Sequence, residues 1–102
     1  MDNKEMNKLL KRYIDNFDGR KFNERQKDEI RKGLEEGLDV SIYAKPEFGD
    51  WQMWQIRLGL QKGLDVSIYA KPNFTCNQMD KIRKGLEKGL DISDYAINGF
   101  DG

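Results

Sequence analysis

The feature that most constrains this chain is a phrase it states three times. "IRKGLEEGLDVSIYAKPEF" begins at Ile30, returns as "IRLGLQKGLDVSIYAKPNF" from Ile56, and again as "IRKGLEKGLDISDYAINGF" from Ile82. The period is 26 residues without a gap: Phe22, Phe48 and Phe74 align, as do Gln26, Gln52 and Gln78, and Gly37, Gly63 and Gly89. A fixed period of this size marks stacked supersecondary units, each too small to bury its apolar face alone.

Each copy opens with a helix-start signature. Asn23, Gly49 and Thr75 stand at the N-cap, and glutamine follows three residues later, as in a capping box. Phe48 and Met53, then Phe74 and Met79, have the spacing of a hydrophobic staple, whereas Lys27 offers only its stem in the first copy. Met53, Ile56 and Leu60 recur at helical spacing and set the core face. Gly37, Gly63 and Gly89 suit left-handed helix ends. Asp39, Asp65 and Asp91 then cap a second, very short helix, "VSIYA" or "ISDYA", which Pro46 and Pro72 keep from extending. Glycine inside the long helix, at Gly33, Gly59 and Gly85, costs about 1 kcal/mol against alanine. Its recurrence predicts close approach of another backbone or of the tyrosine ring of "SIYA".

These signals predict an all-α fold of tandem helix–turn–short-helix repeats, three units behind an N-terminal capping helix. The boundaries are 1–21 for the capping helix and 22–47, 48–73 and 74–102 for the units, all within one domain. In the first segment Met6, Leu9, Leu10, Tyr13, Ile14 and Phe17 form an amphipathic stripe that covers the open flank of the first unit. The last copy loses the Lys-Pro link but keeps Phe100.

Composition narrows the chemistry. Lys+Arg and Asp+Glu both total 18, so the chain lacks the basic excess common in nucleic-acid and anionic-membrane binders. No stretch has the apolar length of a membrane span, and the N-terminus lacks a signal-peptide core. The single cysteine, Cys76, has no internal disulfide partner, and a cytoplasmic setting is expected. Histidine is absent, which removes Ser-His-Asp and Cys-His catalysis and the common zinc sites. A chain of this kind is expected to be non-enzymatic, with no cofactor and no metal. "IDNFDG" resembles part of a calcium loop but has Ile14 in the first ligand position and Arg25 in the twelfth. Cys76 has no accompanying base.

The pattern Q-M-x-x-I-R-x-G-L-x-x-G-L-D-V-S-x-Y-A resembles short tandem repeats in proteins of gut-type Firmicutes and their phages and mobile elements. The resemblance covers residues 22–100. It implies a bacterial or phage origin and a role in contests between mobile elements and their hosts; it carries no catalytic residues.

Positions where the copies disagree are those the scaffold does not dictate. At helical positions two, five and nine the first copy has Arg25, Asp28 and Lys32, and the third has Asn77, Asp80 and Lys84. The middle copy has Trp51, Trp54 and Leu58, on the side opposite Met53, Ile56 and Leu60. Either this stripe packs between neighbouring units, or it is an exposed patch for a protein partner or for a homodimer. Arg31, Arg57 and Arg83 recur once per copy. They form either an ion-pair ladder with Asp39, Asp65 and Asp91, or a ladder of guanidiniums along phosphates. The acids Glu24, Asp28, Glu29, Glu35, Glu36 and Glu47 make a solvated face or a mimic of phosphate charge.

The expected function is protein binding without catalysis, in its most concrete form a phage or mobile-element inhibitor of a host defence protein, of the anti-CRISPR type, acting by steric blocking. The alternative is a nucleic-acid-binding or regulatory module that uses the arginine ladder.

Overall fold

Helix limits follow the capping residues closely. A computed structural model describes residues 3–15 and 22–89, in which the chain forms α1 (Asn3–Asp15), α2 (Glu24–Glu35), α3 (Asp50–Gln61) and α4 (Cys76–Glu87). One-turn 3-10 helices, Val40–Ile42 and Val66–Ile68, follow α2 and α3, and the described residues contain no strand. The Asn23 side chain accepts the Gln26 amide at 2.8 Å while Gln26 Oε1 accepts the Asn23 amide at 2.8 Å, closing the predicted box. Thr75 and Gln78 do the same at 3.1 and 2.9 Å. At α3 only the glutamine half exists, because Gly49 has no side chain to accept with: the Gly49 amide donates to Gln52 Oε1 at 2.7 Å.

The helix ends are equally local. Gly37 has φ +73°, its amide donates to the Leu34 carbonyl, and the Leu38 amide reaches back to the Gly33 carbonyl at 2.9 Å. This is the Schellman arrangement, which satisfies carbonyls the helix would leave orphaned. Gly63 repeats it at φ +70°. Asp39 and Asp65 then turn inward on their own 3-10 helices, each carboxylate accepting the amide two residues on, of Ser41 or Ser67, at 3.2 Å.

The predicted core face is the buried one. Ile30, Ile56 and Ile82 are fully enclosed with Met53, Met79, Phe48, Phe74, Val40, Val66, Tyr43 and Tyr69 in one apolar cluster. Phe48 with Met53 and Phe74 with Met79 thus occupy the staple positions inside that cluster. Leu34 is buried, while Leu60 and Leu86 pack on the cluster's margin. On α1, Met6 is buried and Leu9, Leu10 and Tyr13 lie against the core, so the helix packs on α2. The Ile14 side chain, Phe17, Asp91, "ISDYA" and Phe100 lie outside the described residues.

Glycine inside the long helices admits the tyrosine ring, as expected. A Cβ on Gly59 would stand 2.1 Å from Tyr69 Oη and 2.6 Å from Val66 Cγ1, and Gly33 has the same relation to Tyr43 and Val40. The hydroxyls reach the helix backbone there: Tyr43 donates to the Glu29 carbonyl and Tyr69 to the Gln55 carbonyl, both at 2.7 Å. Burial pushes both phenol pKa values well above that of free tyrosine, so they remain protonated donors at neutral pH.

A second device ties each long helix to the chain that follows it. Gln26 Nε2 donates to the Phe48 carbonyl at 2.6 Å, and Gln52 Nε2 to the Phe74 carbonyl, also at 2.6 Å. The same glutamine amide group therefore closes the cap with its oxygen and pins the next linker with its nitrogen.

Candidate functional site

Two neighbours flank α3, and beside the shared apolar core polar side chains bridge to each of them. Toward α2, Arg57 Nε donates to Glu29 Oε2 at 2.7 Å and Nη1 to Glu36 Oε1 at 3.1 Å. Gln61 Nε2 also donates to Glu36, at 2.6 Å. Toward α4, Gln55 Oε1 accepts from Arg83 Nε at 2.8 Å, and Arg83 also holds Asp80 and Glu87. Glu87 reaches back across to Lys62 at 3.2 Å.

The two contacts are related by the period but reversed in charge. Glu36 stands where the next copy has Lys62, and Gln61 stands where the next copy has Glu87. At the α2–α3 contact the carboxylate is on the earlier helix; at α3–α4 the carboxylate at the matching place is on the later one. Each exchange compensates the other, so both contacts keep an opposite-charge or charge-to-amide bond. This paired change is visible in the aligned copies and is the signal that identifies Glu36, Gln61, Lys62 and Glu87 as contact residues.

The arginines therefore pair with acids, but not with the expected ones. Asp39 and Asp65 cap their own 3-10 helices and are unavailable, while Arg57 takes Glu29 and Glu36, and Arg83 takes Asp80 and Glu87. Arg31 bonds Asp28 on its own helix, with Glu35 at 4.0 Å. Arg57 and Arg83 are each only 7% exposed, whereas Arg31 is on the surface. Burial opposes the Arg57 charge, but Glu29 and Glu36 outweigh it and hold its pKa above the ordinary value. Burial likewise opposes charge on Asp80, and hydrogen bonds from Lys84, Gln55 and Arg83 outweigh it, leaving its pKa lowered.

With the polar contacts on the flanks and Met53 and Ile56 in the core, the third side of α3 faces outward. Trp51 is 60% exposed, the exposed large hydrophobic residue among the described residues. Trp54 and Leu58 are half-buried. The positions themselves are outward-facing in the neighbouring helices too: Arg25 and Asn77, which match Trp51, are exposed, as are Lys32 and Lys84, which match Leu58. Nothing in the packing of this position calls for an indole.

The two tryptophans meet edge to face, with ring centroids 5.8 Å apart and planes at 89°. Such a pair is favoured by the ring quadrupoles and holds the exposed ring in place. They form one wall of an open groove of about 480 Å³ whose other residues are Asp50 on α3 and Arg25, Asp28 and Glu29 on α2. The sequence alone did not associate Arg25 with the tryptophans, since it becomes their neighbour only when α2 packs on α3.

The acidic run is largely engaged. Asp28 bonds Arg31 and Lys32, Glu24 bonds Lys27, and Glu29 and Glu36 bond Arg57. The hydrogen bond from Arg31, against the opposing effect of burial and with Lys32 adding to it, holds the Asp28 pKa below its ordinary value. Cys76 is a half-buried free thiol in the first turn of α4. Among the described residues no helix is long and apolar enough to cross a membrane, and no three potential ligands gather to hold a metal ion. Comparison of the chain with protein-family models, curated proteins and solved structures finds no match.

Proposed function

We propose that the chain is a non-enzymatic helical-repeat module, three units repeating with a period of 26 residues behind an N-terminal helix, that binds a protein partner through Trp51, Trp54 and Leu58. One observation carries this reading: an indole 60% exposed at a helix position where the aligned copies place arginine and asparagine. An exposed tryptophan beside a half-buried one has the character of a binding hot spot, where large aromatic area is removed from water at little cost in side-chain entropy. The inhibitor of a host defence protein, of the anti-CRISPR type, is the most concrete form of this function. It draws its support from the resemblance of the repeat pattern alone.

The nucleic-acid alternative has less to stand on. Two of the three guanidiniums in the ladder, on Arg57 and Arg83, are buried and bonded to neighbouring side chains, so a phosphate would have to displace an existing carboxylate or amide partner.

The test compares capture from bacterial lysate by the wild type and by Trp51→Ala and Trp54→Ala, alongside urea unfolding of each. A captured protein whose affinity falls by about 2 kcal/mol or more in either variant, with Trp51→Ala still fully folded, supports the stripe as the binding surface. Capture that is indifferent to both substitutions refutes it.

A further inference from the structure

The groove between α2 and α3 carries its own electrostatic complement. Arg25 stands on the α2 wall and Asp50 on the α3 wall, and neither has an ion-pair partner among the described residues. The other two acids of the groove are committed, Asp28 to Arg31 and Lys32, and Glu29 to Arg57. What the groove offers a visitor is one cation, one anion and an indole shelf between neighbours. A partner of a single charge sign would satisfy one wall and oppose the other. A surface bearing the same three features, turned about a twofold axis, satisfies both walls at once, since each arginine then faces an aspartate. The chain's formal net charge of zero removes long-range repulsion between two copies.

The geometry points to a second copy of this chain as the occupant: an isologous homodimer in which Arg25 of each protomer pairs with Asp50 of the other, and the Trp51 indoles pack at the centre. This rests on the stripe being a binding surface and names what it binds. The covered indole also accounts for the choice of tryptophan at an outward position, because burial against its twin withdraws the apolar area from water.

Sedimentation equilibrium and light scattering, at protein concentrations up to about 100 µM where modest interfaces assemble, read the outcome directly. The wild type should move from 12.0 kDa toward twice that mass as concentration rises. Arg25→Asp sets two carboxylates against each other across the axis, and Asp50→Arg sets two guanidiniums against each other. Each variant alone should remain at 12.0 kDa. An equimolar mixture of the two should regain the dimer, because each protomer then supplies the charge that the other lacks, and the double variant should regain it for the same reason. Far-UV circular dichroism checks folding; should either reversal unfold the chain, Arg25→Gln and Asp50→Asn must show the same loss of dimer. A wild type that stays at 12.0 kDa throughout overturns the dimer, while the hetero-partner reading still stands or falls on capture by Trp51→Ala. A dimer indifferent to both reversals, or one that mixing fails to restore, overturns the assignment of this groove.

Discussion

Replacing Gly59 with alanine separates a tertiary role from a local one by the sign of its effect. In an isolated helix the change would stabilise by about 1 kcal/mol, since alanine is the better helix former. Here the added methyl would stand 2.1 Å from Tyr69 Oη and 2.6 Å from Val66 Cγ1, far inside contact distance. The tyrosine is fully buried and its hydroxyl bonds the Gln55 carbonyl at 2.7 Å, so any shift away from the methyl disturbs that bond inside the core. Moving it strands a buried hydroxyl, at about 1–3 kcal/mol, and overpacking the site adds about 1–3 kcal/mol more. Less the helix gain, the net loss should be roughly 1–5 kcal/mol. Equilibrium urea unfolding followed by far-UV circular dichroism measures it, provided the slope of the transition is unchanged. Tyr69→Phe tests the mechanism: it removes the nearest clashing atom but leaves Val66 in place, so the double variant should lose less than the two single losses combined. A Gly59→Ala chain as stable as the wild type, or strictly additive behaviour, would refute the close-packing account.

The remaining expectations concern the polar framework. Arg57→Ala strands Glu29 and Glu36 beside the core and should cost about 3 kcal/mol, the low end for a broken buried pair because Glu36 can reach water. Arg31→Ala, on the surface, should leave the unfolding midpoint nearly unmoved, and equal losses in the two variants would contradict the assigned pairing. Thr75→Ala removes the acceptor for the Gln78 amide and should lose roughly 0.5–2 kcal/mol, with amide exchange quickening in the first turn of α4. Asp28 and Asp80 have lowered pKa values in the folded chain, so they stabilise it above the ordinary carboxylate pKa and lose that contribution as pH falls through their folded values. Thermal midpoints should therefore be level from neutrality to about pH 5 and drop below about pH 4; a midpoint that rises on acidification would reverse the sign.

Some of this protein is legible in its residues because the responsible interactions are short in sequence. The Asn23–Gln26 and Thr75–Gln78 boxes, the left-handed turns at Gly37 and Gly63, and the 3-10 caps of Asp39 and Asp65 all close over five residues or fewer. Helical phase is equally local, which is why the buried line through Met53 and Ile56 could be read from spacing. The tyrosine in the glycine notch lies 10 residues from Gly59, within one repeat, and its presence was signalled by the recurrence of an unfavourable residue.

What the period alone left open was decided by how α2, α3 and α4 pack. Arg57 could have met Asp65 or any acid of the neighbouring copy; the approach of α2 brings Glu29, 28 residues away, to its Nε, while Asp65 is held by its own 3-10 helix. Gln26 was expected only to close a cap, and its second bond, to the Phe48 carbonyl 22 residues on, arises because the linker folds back over the helix start. The outward stripe follows the same logic. Helical spacing places Trp51, Trp54 and Leu58 on one side of α3, but exposure depends on which sides the neighbouring helices cover. They approach along the Arg57–Gln61 and Gln55–Lys62 flanks, so the tryptophan side remains in water and joins Arg25 across a groove that exists only in the packed structure.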